Sequence, residues 1–300
     1  MSYLYYTTST GESQEFNVEE MLYIIHTEKN TKRKQAIIRA YKEIIKETGD
    51  NTYRNKLKAV KGCGTYFHFK KYETGATECI KANRCKDRYC SYCNWVEARK
   101  KRKILMIATE NLRERYQHIN HLTITVPNVT ADKLNRQTNI LHSLITRALR
   151  HFGVKDYYRT TEITFNKEAG TYHPHAHILV LKYVKIEELS AYLSRLYKEY
   201  DPNYKEDFIV CWATGKSAVT ELTKYITKPD EFTDEAIREL IRHEALKGVR
   251  FSASAGIIKE ECAEAKRIIR AIETREKAEL QEYNYSNLHV LYKNNVWERV

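Results

Sequence analysis

Residues 171–182 read TYHPHAHILVLK, and this stretch decides what kind of sheet the chain can build. Successive side chains of an extended strand point to opposite faces, so His173, His175 and His177 share one face, continued by Leu179 and Leu181. Pro174, Ala176, Ile178 and Val180 take the other. A core has no use for three adjacent imidazoles, and a solvated face ordinarily carries Lys, Glu or Thr. Two neutral imidazoles one pleat apart are well placed to grip one metal ion. The competing reading is a set of purely structural histidines.

Working outward, YYRTTEITF (157–165) has the β-branched, alternating look of a second strand, and the turn Glu168-Ala169-Gly170 leads from it into the histidine strand. The two are expected to pair as a hairpin. Two histidines leave a metal under-coordinated, and Glu162, the only acid in that strand, is the expected third ligand. HINHLTITV (118–126) reads as a further strand closed by Pro127-Asn128, and DFIVCWAT (207–214) as another. Helical spacing marks 131–152, 187–200, 216–228 up to Pro229, and two helices near 233–247 and 258–282. These last two flank GVRFSASAG (248–256), a tight loop or edge strand. The first fifty residues look mostly helical after a polar start. Strands with helices inserted between them, one connection being a hairpin, predict an α+β fold with a central, largely antiparallel sheet. A small zinc-binding module and helical termini complete it. The expected regions are 1–50 (helical), 51–104 (cysteine-rich with a basic run), 105–230 (the histidine domain) and 231–300 (helical).

Five of the seven cysteines fall between 63 and 93, and in a reducing compartment such a cluster argues for metal over disulfides. Cys90 and Cys93 form a chelating pair, with Cys85 just upstream. A tetrahedral zinc site wants four thiolate or imidazole ligands. Cys63 is the best fourth because Gly64 lets the chain turn at the metal, with Cys79 and His68 in reserve. So short and polar a segment has little core of its own, and zinc would hold it folded. Cys211 and Cys262 read as ordinary buried thiols.

Lys and Arg number 51 against 39 Asp and Glu, a formal charge of +12 that favours polyanionic partners, nucleic acid before membrane. Beside the cysteine pair, Lys86, Arg88, Arg99, Lys100, Lys101, Arg102 and Lys103 could clamp DNA phosphates. No apolar run approaches the ~18–20 residues that span a bilayer. The N-terminus lacks a basic and apolar leader pattern, so the chain reads as cytoplasmic, without a membrane partner.

On a helix through TELTKYITK (220–228), Glu221 and Tyr225 stand one turn apart with Lys224 and Lys228 close by. Alone that pattern is common; the order of elements sharpens it. With CKDRYCSYC, LTITVPN, YHPHAHILV, ELTKYITK and RFSASAG in sequence, the chain resembles the HUH endonucleases from about Cys63 to residue 260. It is most similar to the rolling-circle replication initiators of small plasmids that carry a Glu-x-x-x-Tyr active site. RFSASAGI departs from the more glycine-rich run expected there.

The resemblance implies a metal-dependent, site-specific single-strand DNA endonuclease that nicks and rejoins origin DNA. Tyr225 would be the nucleophile forming a 5′-phosphotyrosyl link. His175, His177 and Glu162 would hold manganese or magnesium. Lys228 would stabilise charge, and Glu221 would act as general base at termination. His173 would lie behind the ligands or touch a phosphate. Origin DNA, single-stranded or extruded, and a host helicase and polymerase are the implied partners. A relaxase or transposase with the same chemistry is the nearest alternative, and a non-catalytic zinc-containing DNA-binding regulator the next.

Overall fold

The structure, a computed structural model, describes residues 5–7, 13–15, 27–113, 115–116, 119–204, 210–214, 232–293 and 296–299. In chain order the first elements are β1 (Tyr5–Thr7), β2 (Ser13–Glu15), α1 (Glu28–Thr48), α2 (Asn51–Gly62), β3 (Tyr66–Tyr72), β4 (Thr77–Ala82) and α3 (Ser91–Arg113). Next come β5 (Asn120–Thr125), α4 (Ala131–His151), β6 (Tyr157–Asn166), β7 (Thr171–Val180), α5 (Ile186–Tyr197) and β8 (Val210–Thr214). The chain continues through α6 (Asp234–Arg242), β9 (Ser252–Ala255), α7 (Gly256–Gln281), β10 (Tyr285–Lys293) and β11 (Val296–Arg299). The fold is α+β. Among the described residues no helix is long and apolar enough to cross a membrane.

Two compact units form: Met1–Val96 with Ile268–Val300, and Glu97–Arg267, the boundaries falling inside α3 and α7. The expected regions 1–50 and 51–104 thus lie in the first unit up to residue 96, region 105–230 lies in the second, and 231–300 is divided at 267.

The first unit is built on an antiparallel sheet of order β11-β10-β3-β4. Phe67, Phe69 and Val290 are buried on the face that packs against Cys63, Cys90 and Cys93. This sheet corrects the expectation of a helical C-terminus. YSNLHVLYK alternates with period two, and β10 pairs along the whole of β3, Leu288 opposite Phe69 and Val290 opposite Phe67. Apolar burial beside the cysteines, with a ladder to β3, outweighs the helical trend carried to residue 281 by α7. At the other end, β1 and β2 pair as a small antiparallel hairpin within the polar start.

The second unit is an antiparallel sheet of order β8-β5-β7-β6-β9, with the histidine strand at its centre. The β6–β7 hairpin forms as the sequence predicts, and β9 is the edge-strand form of the stretch at 248–256. Leu122, Ile124, Ala176, Ile178 and Val180 pack one face of the sheet on Leu141, Leu144 and Ile145 of α4 and Leu189 and Leu193 of α5. The opposite face meets α3 and α7 through Leu105, Ala108 and Leu112 and through Ile258, Cys262 and Ala265, around Tyr158 and Leu179. Because alternation assigns 173, 175 and 177 to this second face, the imidazoles are excluded from the α4–α5 core. Where β9 becomes α7, Gly256 has φ +56°, and a Cβ there would lie 2.9 Å from the carbonyl oxygen of Lys155 and strike Asp156, so only glycine fits. Asp156 Oδ1 accepts from Ile257 N at 2.8 Å and so caps the helix start.

Candidate metal centres

Cross-strand register assembles the histidine centre. Glu162 stands directly opposite His175, Thr160 opposite His177, and Thr123 of β5 opposite His177 from the other side. All three expected ligands are brought together: His175 Nε2 lies 3.1 Å and His177 Nε2 3.4 Å from the same oxygen, Glu162 Oε2. They are buried, with 9, 2 and 5% exposure for His175, His177 and Glu162. His175 Nδ1 is 3.3 Å from the carbonyl oxygen of His173, which can only accept, so the proton belongs on Nδ1 and the lone pair on Nε2. Two such lone pairs facing one carboxylate oxygen repel unless a proton or a cation lies between them. A single small divalent ion satisfies all three donors. The separations match adjacent ligands on such an ion, about 3.0 Å for an octahedral and about 3.3 Å for a tetrahedral arrangement from ordinary bond lengths.

His173 shares the face but not the donor group. Its half-buried ring lies 5.2 Å from that of His175, and burial, reinforced by His175, lowers its pKa. Tyr225, Glu221 and Lys228 lie outside the described residues.

The cysteine centre is equally compact. Cys63 Sγ is 3.6 Å from the sulfurs of both Cys90 and Cys93, and Cys85 Sγ is 3.7 Å from Cys93. Four sulfurs around an ion with bonds of about 2.3 Å sit about 3.8 Å apart, so these four could hold a tetrahedral metal. Backbone amides point at the sulfurs: Lys86 N donates to Cys93 Sγ at 3.3 Å and Asp87 N to Cys85 Sγ at 3.4 Å. The left-handed backbone of Lys86 (φ 57°) and Gly64 (φ 66°) turns the chain beside the two cysteines that precede them. Hydrogen bonds from Cys63, Cys85 and Cys90 favour the Cys93 thiolate strongly.

Neither reserve ligand joins this group. Cys79 Sγ is directed to the carbonyl of Lys81. His68 projects from the opposite face of β3 to Phe67 and Phe69, stacked 4.2 Å from His289. Burial pushes the Cys262 thiol up to about 11, as expected of an inert core cysteine.

The basic run does not form one stripe, because consecutive residues on a helix are about 100° apart. Ala98, Leu105, Ala108 and Leu112 of α3 are buried, and Lys101 shares their side of the helix. Its ammonium donates to Ser252 Oγ at 3.1 Å. Ser252 is opposite Thr160, and Thr160 opposite His177, so Ser252 marks a point on the histidine face two strand spacings, about 10 Å, from His177. Lys100 is exposed and paired with Glu97 at 3.5 Å. Arg99, Arg102 and Lys103 are half-buried, and Arg88, in the cysteine loop, is exposed.

Sequence reasoning missed two side chains on β5. His121 Nε2 lies 3.2 Å, and Thr123 Oγ1 3.1 Å, from His177 Nδ1. Their alternation in HLTIT was visible, but their approach to His177 depends on a register set across a long connection.

The chain matches the family described as Replication protein over residues 76–298, and it belongs to that family. This bears out the resemblance to the rolling-circle plasmid initiators at the level of the family. It is 33% identical over 159 residues to a protein rep of Staphylococcus aureus, covering 51% of this chain and 68% of the relative. A protein rep of Streptococcus pneumoniae is 31% identical over 207 residues, with 62 and 64% coverage. One from Bacillus amyloliquefaciens is 26% identical over 263 residues, with 73 and 76% coverage. No solved structure matches the chain.

Proposed function

We propose that this replication protein initiates rolling-circle replication of a plasmid by nicking origin DNA at the Glu162–His175–His177 centre, with Tyr225 as nucleophile. The observation that carries the reading is the convergence of two imidazole Nε2 atoms on one buried carboxylate oxygen, at 3.1 and 3.4 Å, in a chain of this family. The Tyr225 oxygen attacks the scissile phosphorus and gives up its proton, and the bond to the 3′-oxygen breaks. The products are a 5′-phosphotyrosyl ester and a 3′-hydroxyl that a host polymerase extends, with a host helicase opening the duplex. An unperturbed phenol titrates near ~10, so the step needs assistance at neutral pH. Manganese or magnesium, when bound, supplies charge stabilisation at the phosphate oxygens. Lys228, three residues on from Tyr225 in the sequence, adds a positive charge there. Glu221 accepts the proton of water or of a second strand end at termination, so that one tyrosine suffices. Zinc on Cys63, Cys85, Cys90 and Cys93 folds the first unit's loop region, and Arg88 with Arg99 to Lys103 engages DNA backbone.

The test uses 3′-labelled single-stranded oligonucleotides tiled across the source replicon's candidate origin, resolved on denaturing gels. A slow, protease-sensitive band that needs both divalent metal and Tyr225 is expected. Adduct from Tyr225→Phe would remove the nucleophile assignment. Tight, salt-sensitive binding with no adduct on any oligonucleotide would favour the regulator.

A further inference from the structure

We propose that His121 is a positioning residue for the metal at the histidine centre: it accepts the Nδ1 proton of His177 and so keeps the lone pair of His177 Nε2 directed at the ion. The inference rests on the metal reading above and extends it to a residue outside the ligand set.

An imidazole that offers a lone pair from Nε2 must carry its proton on Nδ1, and that proton needs an acceptor when the ring is buried. For His175 the acceptor is built into the backbone, the carbonyl of His173 at 3.3 Å. At His177 Nδ1, side chains of β5 stand in that place, His121 Nε2 at 3.2 Å and Thr123 Oγ1 at 3.1 Å. The register puts Thr123 directly opposite His177 and His121 one pleat further, opposite Leu179, on the same face. From there the His121 ring lies nearly parallel to that of His177, 17° between planes and 5.3 Å between centroids. His121 is 4% exposed, so water offers Nδ1 no ready substitute. An imidazole nitrogen is a better base than a hydroxyl oxygen, which makes His121 the stronger of the two acceptors. Accepting on Nε2 also fixes the tautomer of His121, whose own proton then sits on Nδ1. The HLTIT strand therefore does more than pair with the histidine strand: it sets which nitrogen of His177 faces the metal.

The experiment measures Mn²⁺ binding by the full chain, from the electron paramagnetic resonance signal of free Mn²⁺. Wild type is compared with His175→Ala, His121→Ala and His121→Gln, whose amide oxygen can still accept. Loss of an outer hydrogen-bond partner ordinarily weakens a metal site about 10–100-fold. That weakening is expected for His121→Ala, with most of it recovered in His121→Gln and all binding lost in His175→Ala. Long-range ¹H–¹⁵N spectra of the Mg²⁺-loaded wild type are expected to show His177 protonated on Nδ1 alone. Wild-type affinity in folded His121→Ala, or His177 protonated on Nε2 in the wild type, overturns the proposal. Should His121→Ala fail to fold, His121→Gln and the wild-type tautomer decide. If wild type takes up no more Mn²⁺ than His175→Ala, the metal reading itself fails and the positioning role falls with it.

Discussion

The hydroxyl of Tyr41, a residue with no exposed surface, donates a 2.6 Å hydrogen bond to Oδ2 of Asp87. This ties the middle of α1 to the loop that carries the cysteines. Lys34 Nζ donates to the carbonyl of Cys63 at 2.7 Å and Arg33 Nε to that of Tyr89 at 3.1 Å. The long N-terminal helix is thus a clamp on the cysteine centre, a role its basic amphipathic sequence did not disclose.

Tyr41→Phe removes that bond and leaves a carboxylate oxygen without its partner. A hydrogen bond to a charged group is worth about 1.5–3 kcal/mol, and the first unit should lose stability of that order in urea unfolding. Chelator should also strip the proposed zinc faster. Unchanged stability would mean that water replaces the phenol at no cost.

Ligand identity at the cysteine centre can be read from metal content. On the proposed zinc reading, Cys63→Ser, Cys85→Ser, Cys90→Ser and Cys93→Ser should each lower zinc content to background, whereas Cys79→Ser and His68→Ala should keep one zinc per chain. The sulfur of Cys79 turns to Lys81, and His68 points away from the cysteines. Zinc loss in His68→Ala would contradict the face assigned to it.

What was legible follows from how far apart in sequence the partners lie. The hairpin could be read because β6 and β7 are joined by a short turn, and Glu162 opposite His175 follows from that turn and the alternation. The clustering of the four cysteines was legible because three of them, Cys85, Cys90 and Cys93, fall within nine residues. The β3–β10 ladder was not, since His68 and His289 meet across more than two hundred residues and nothing local specifies that register. His121 was missed for the same reason on a smaller scale, with α4 and β6 intervening between β5 and β7.

His142 gives the second unit a defined acid sensitivity. Its Nε2 lies 2.9 Å from Thr161 Oγ1, and burial, with Arg159 nearby, lowers its pKa from 6.5 to about 3. The folded state then binds fewer protons than the unfolded one, so stability is full above the unfolded value and falls as the pH drops from 6.5 toward 3. Between pH 7 and 5 the loss is about 2 kcal/mol by linkage. His142→Gln, which cannot titrate, should lose that much less over the same interval in denaturant titrations. Parallel pH profiles for the two proteins would show that His142 is charged in the fold.

Lys101 is a basic residue held on the face that carries Glu162, His175 and His177, through its bond to Ser252. Under the proposed function this ammonium is a candidate phosphate contact, whereas Lys100 is exposed and already paired with Glu97. Each phosphate contact to single-stranded DNA contributes about 0.7 to the slope of log affinity against log salt. If Lys101 contacts a phosphate in the proposed complex, Lys101→Ala should reduce that slope by about 0.7 and slow the proposed nicking as well, because the lost charge is on the same sheet face as the histidine centre. Lys100→Ala, which removes only an exposed and screened pair, should leave the nicking rate within about twofold. Binding isotherms at several salt concentrations, with single-turnover nicking on the same oligonucleotide, separate the two residues. If both variants lose equal slope and equal rate, the basic run acts as a diffuse field and Lys101 has no special place in it.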